Sequence, residues 1–217
     1  TPPRPAATPT AAPPPPPTAE PDSVEPRDAR EPEAARRSMD DQANRARSGQ
    51  LDAEDVQQLE GVNSTEPDYT RARVLLLIDA QRRDDVGASG RYLEDILRVP
   101  ENRYNPVFLA EMARHQVNQR QFAVALGTAT KAEQHWARLP SSLVFDKQAE
   151  IFEVQAAATQ GLLYEAEAEA EQLSLLDDAL GRWRRLAEHA QRGGRPDISE
   201  RATAQIAKLE DIRRRLQ

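Results

Sequence analysis

From about residue 34 onward, apolar residues return every three or four positions, the spacing that lines one side of an α-helix. Breaks in that pattern coincide with residues that start or stop helices. Residues 34–48 hold helix formers but little apolar face beyond Met39, so the spacing predicts only a marginal helix there. Asp52 is placed to cap a short helix over 53–60, ended by Gly61. Pro67, behind Ser64 and Thr65, opens a helix to about Arg83, and a second runs from about Asp85 to Arg98, before Pro100. Asn105-Pro106 opens the next, to about Asn118, and its partner covers about 120–136. Ser141 or Ser142 caps a helix that Gly161 ends; residues 163–173 form a short partner, Ser174 starts a helix to Arg192, and Pro196-Asp197 starts the last. No strand or hairpin turn is predicted, and the fold class is all-α.

One stretch, YEAEAEAEQL at 164–173, alternates polar and apolar residues as a half-buried strand would. Ala and Glu favour helix over strand, and propensity decides the reading. At helical spacing Leu163, Ala166, Ala170 and Leu173 form the close-packing side, and Glu165, Glu167, Glu169 and Glu171 are solvated.

The predicted helices fall into antiparallel pairs, which prompts a search for a repeat. Phe122, Ala125, Ala129 and Ala132 are spaced three, four and three apart, as are Leu163, Ala166, Ala170 and Leu173. Trp183, Leu186, Ala187 and Ala190 lead another helix; Leu109, Met112, Ala113 and Gln116 stand in the equivalent places earlier. This resembles the tetratricopeptide repeat (TPR), whose first helix carries W-x-x-L-G-x-x-Y and whose second carries a large residue followed by small ones. Here Ala replaces the Gly and Tyr of that signature, and the earlier pair lacks both aromatics. Residues 72–98 fit more loosely, through Leu75, Leu76, Ala88 and Tyr92. The resemblance covers about 68–217 as three to four degenerate units. It implies helix pairs stacked as a short solenoid over 51–217, with 1–50 as a spacer ending in the marginal helix.

Composition changes the picture mainly at the N-terminal end. Twelve of the 17 prolines fall within residues 1–32, including Pro13–Pro17, among few side chains worth burying. Residues 1–33 are therefore expected to form a disordered, semi-rigid Pro-rich tail. Such a spacer ahead of a helical array suggests a tether to a signal peptide, a lipidated cysteine, a membrane helix or another domain upstream, and the expected location is a bacterial periplasm or cell envelope. A cytoplasmic protein is the alternative. The net charge of −7 argues against nucleic acid, and no stretch approaches the roughly 20 apolar residues of a membrane span. Cysteine is absent, which excludes disulfides and thiolate sites from this sequence.

Candidate chemistry is sparse. His115, His135 and His189 are too far apart for a helical metal pair, and each is expected on a partly solvated face. No phosphate loop, dinucleotide fingerprint or zinc motif occurs, so no catalytic residue, metal or cofactor is assigned. The glycines at 87 and 90 of VGASG read as a turn or tight packing, and Asp84-Asp85 and Asp177-Asp178 as helix-start residues. Trp183 is expected in the core and Trp136 in a gap between helix pairs.

The resemblance implies a concave groove that takes a peptide or helix of a partner protein. The residues it brings to that groove are Arg114, Val117 and Asn118 in one unit, and Arg184, Glu188 and Gln191 in the last. The lysine-based clamp for a C-terminal carboxylate cannot be assembled, because only Lys131, Lys147 and Lys208 occur. The expected function is a non-catalytic scaffold or adaptor for protein–protein interaction. The alternative is a regulatory segment of a larger enzyme such as a kinase.

Overall fold

Local capping sets three of the helix starts. In the computed structural model, which describes residues 31–216, Asp52 accepts from the Asp55 backbone N–H while the Asp55 carboxylate accepts from that of Asp52, a reciprocal capping box. It opens α2 (Ala53–Gly61), which follows α1 (Glu31–Arg47). Asp85 caps α4 (Val86–Arg98) through the Ala88 N–H, and Asn105 caps α5 (Pro106–Asn118) through the Val107 N–H. The other helices are α3 (Tyr69–Arg82), α6 (Phe122–Gln134), α7 (Ser141–Glu165), α8 (Glu169–Arg192) and α9 (Pro196–Leu216). A short 3-10 turn, Trp136–Arg138, joins α6 to α7. No strand occurs among the described residues, so the all-α class holds. Most of the Pro-rich tail, residues 1–30, lies outside them.

Each helix packs on the next along the chain from α2 to α9, and α7 also packs on α5. Short connections make such neighbours antiparallel. Two apolar clusters meet around α4 and α5: one joins α1–α4 through Leu59, Leu76, Leu93 and Ile96, the other joins α5–α9 through Ile151, Leu180, Trp183 and Leu209. Ala125, Ala129 and Ala132 are fully buried, the small face of α6 that the repeat spacing calls for. Trp183 is buried, and its indole N–H donates to Gln160 at 2.8 Å.

α1 is more than a marginal appendage. Ala43 and Ala46 are buried, Gln42 donates to Asp55 and Gln58, and Arg45 pairs with Asp55 at 2.7 Å. The helical body therefore begins by residue 38, and the expected boundary at residue 50 falls inside packed structure. α1 carries few apolar side chains, and polar partners supply the specificity that its pattern lacks.

Four turns share one geometry. Gly49, Asp84, Arg120 and Gly194 are left-handed, with φ of 67°, 55°, 61° and 66°. In each, the next residue donates its N–H to a carbonyl five residues back: Gln50 to Arg45, Asp85 to Ala80, Gln121 to Gln116 and Arg195 to Ala190. This is the Schellman closure of a helix C-terminus. Gly49 to Asp84 is 35 residues, Asp84 to Arg120 is 36, and Arg120 to Gly194 is 74, so one turn is skipped. It would fall near Ala157, inside α7.

The skipped turn overturns one part of the sequence reading. Residues 163–173 are not a helix: α7 runs through Gly161 to Glu165, the chain bends over Ala166–Ala168, and α8 starts at Glu169 rather than Ser174. The run Ala156–Ala158 favours helix, and Gly161 serves packing instead of termination. A Cβ at Gly161 would overlap the ring of Phe122 from α6. Ala170 is consequently exposed, as are the four glutamates. Asp177 and Asp178 lie inside α8 and start no helix. Likewise α3 begins at Tyr69, with Pro67 in the turn ahead of it, and neither Ser141 nor Ser142 caps α7.

Candidate functional site

The end of α3, the first turns of α4 and the second half of α5 enclose a cleft of about 360 Å³. Leu93 and Val86 supply its apolar surface, and Gln81, Asp84, Ser89, Glu111, Arg114, His115 and Asn118 its polar groups. The left-handed Asp84 turn brings α4 back beside α3 and so sets the mouth of the cleft. Val86, the first residue of α4, is 49% exposed there.

Arg114 is committed within the array. It contacts Glu111 one turn back at 3.2 Å and Glu150 of α7 at 3.4 Å, while Lys147 contacts Glu150 at 2.7 Å and Glu111 at 4.0 Å. The ladder of two cations and two carboxylates is neutral and bridges two first helices of neighbouring pairs. The groups are partly exposed, Arg114 most of all, so each link contributes little alone; the two that cross between helices, Arg114–Glu150 and Lys147–Glu111, tie α5 to α7. His115 reaches over Gly90 of α4, where a side chain would meet the imidazole. Burial pushes its pKa below the usual value, partly offset by the Glu94 carboxylate.

The six groove candidates separate. Arg114 and Asn118 line the cleft together. Val117 is half-buried, packed with Ala113, Ala129 and Val154. Arg184 pairs with Glu210 of α9 at 2.9 Å, Glu188 is exposed on α8, and Gln191 lines a shallow depression at the α8–α9 turn with Arg195, Pro196 and Glu200. The cause is the skipped turn. It makes α8 the antiparallel partner of α7, so its residues do not continue the row begun on α5.

His189 also departs from expectation. It is buried, stacked on Phe145 with ring centroids 4.1 Å apart, and hydrogen-bonded through Nε2 with the Phe145 carbonyl at 3.0 Å. Phe145 in turn sits where a Cβ of Gly193 would be. Trp136 packs edge-on to Phe152 at 6.1 Å, filling the gap between α6 and α7. A second polar depression, between α2, α3 and α4, holds Tyr92, whose hydroxyl donates to Glu60 at 2.7 Å. Burial and the adjacent carboxylate push that phenol up to about 12.

Sequence reasoning missed Ser89, Asp84 and Gln81 as cleft residues. Their proximity to Arg114 depends on how α4 crosses α5, which no local spacing encodes. The available signal was VGASG, whose Gly90 is tight packing against His115. Among the described residues no three His, Cys, Asp or Glu side chains converge as a metal site. Comparison with protein-family models, curated proteins and solved structures gives no match for this chain.

Proposed function

We propose that the chain is a non-catalytic scaffold whose α3–α4–α5 cleft receives a segment of a partner protein. The observation that carries this reading is the cleft itself: exposed Val86, backed by the buried Leu93, lies within a ring of donors and acceptors from three helices. That mixture suits a peptide, which needs apolar anchorage and backbone hydrogen bonds together. On this reading the helix pairs form a TPR-like array with degenerate units, and α5 and α7 are first helices held in register by the Glu111–Arg114–Lys147–Glu150 ladder. A tether to a bacterial envelope belongs to the same proposal, supported by the proline content of residues 1–32.

The test places a photoreactive side chain at Val86 in the 217-residue chain and compares it with the same chain carrying Arg114→Ala and Asn118→Ala. A protein cross-linked by the first and lost from the second, at equal melting temperature, is the expected result. The reading fails if cross-linking is unchanged by the double substitution.

A further inference from the structure

At the opposite end of α4 and α5 from the cleft, four side chains from two connections converge. Tyr104 follows α4 in the loop to α5 and is 40% exposed. The Arg103 guanidinium lies 5.6 Å from its ring centroid, and that of Arg138, from the turn after α6, lies 5.8 Å away. The His135 ring centroid is 4.9 Å away, tilted by 44°. Both arginines are exposed, and among the described residues neither has a carboxylate within ion-pair distance. Among the described residues Arg45, Arg98, Arg114, Arg184, Arg195 and Arg213 all do; Arg47, Arg82, Arg91, Arg182 and Arg192 do not, but only Arg103 and Arg138 share one aromatic ring.

Packing accounts for the ring contacts, but not for two uncompensated guanidinium groups drawn together in a chain of net charge −7. A guanidinium over an aromatic ring keeps its N–H donors free for an acceptor in the guanidinium's own plane, and its fork matches a carboxylate. The setting adds positive potential, because α7 starts at Ser141 with no side chain capping its first N–H groups.

We propose that Tyr104, Arg103, Arg138 and His135 form a docking point for an acidic segment of a partner protein, separate from the cleft. Its carboxylates are held by the two arginines, and its adjoining methylene groups rest on the tyrosine ring. The ligand class follows from the size of the patch. Two guanidinium groups on one ring fit one or two carboxylates, whereas a nucleic acid backbone needs a basic stripe, which a protein this acidic does not present.

A synthetic decapeptide YEAEAEAEQL, rich in glutamate and water-soluble, serves as the probe, with its Glu→Gln counterpart as control. Titrated into the full 15N-labelled chain, the glutamate peptide is expected to shift the Arg103, Tyr104 and Arg138 signals, less so as salt rises. Arg103→Gln with Arg138→Gln should weaken binding by about tenfold or more, the size of a lost charged contact. Arg91→Gln with Arg192→Gln, the same change in net charge elsewhere, should leave it unchanged, and Tyr104→Leu should retain only part of it. The proposal is overturned if the two double variants bind alike, if the Gln peptide binds equally well, or if a single-stranded oligonucleotide of equal charge binds tighter than the glutamate peptide.

Discussion

The α3–α6 and α7–α9 regions use the same sequence material to opposite effect. In α3–α6 the helices are 14, 13, 13 and 13 residues long, and each pair closes on a left-handed residue, Asp84 or Arg120. In the second region α7 and α8 run 25 and 24 residues and meet at a bend without one. The interval between left-handed residues doubles there, so the difference is one missing turn and not a different repeat length. A turn in a helical array is therefore a decision separable from the packing around it. The alanines before Gly161 favour continuing, and the ring of Phe122 rewards a continuous helix by filling the space that glycine leaves.

The sharpest way to break this comparison is Gly161→Ala. If Gly161 were an unhindered residue within α7, the substitution would raise stability by the helix propensity gained, about 1 kcal/mol. With Phe122 against the missing Cβ, stability should instead fall by about 2 kcal/mol, as overpacking does. In a Phe122→Ala background the sign should reverse. Chemical denaturation of the four proteins reads both signs.

A smaller effect separates the turns that form from the one that does not. Arg120→Gly relieves a left-handed side chain and should raise stability by about 0.5–1 kcal/mol, while Gly194→Ala should lower it by about 1 kcal/mol. Ala157→Gly, at the skipped position, should lower it by about 1 kcal/mol, because that residue sits within a helix. A gain at residue 157 in thermal melts would mean that the turn forms after all.

Ala170→Leu should do least, within about 0.5 kcal/mol, because the residue is exposed in the first turn of α8. Substantial destabilisation would restore the short helix that the repeat spacing predicts.

Much of this fold is written locally. Asp52, Asp85 and Asn105-Pro106 start their helices as their chemistry requires, and the small face of α6 is buried as its spacing demands. What stayed hidden was settled by distant groups. Gly161 resembles a stop signal until Phe122, 39 residues earlier in the sequence, is placed against it. α1 looks too polar to pack until Asp55 and Gln58 are found to receive Gln42 and Arg45. Of the cleft, Arg114 and Asn118 were legible through the resemblance to the first helix of a repeat pair. Their separation from Arg184, Glu188 and Gln191 was not, since it follows from the missing turn. The Tyr104 cluster joins residues 34 apart through loops, where no periodicity speaks.

The missing turn also reverses the direction in which the chain leaves the array. Arg120, in the α5–α6 turn, reaches Glu165 at the end of α7, whereas Arg195, in the α8–α9 turn, reaches Asp146 at its start. The two turns thus lie on opposite edges. With every turn in place, α3 onward would be an even number of helices, and the polypeptide would exit by the edge it entered. With seven, Tyr69 and Leu216 face opposite edges. Groups attached at Tyr69 and Leu216 would therefore be held apart by the length of the helices, which makes this part of the fold a spacer across its own width.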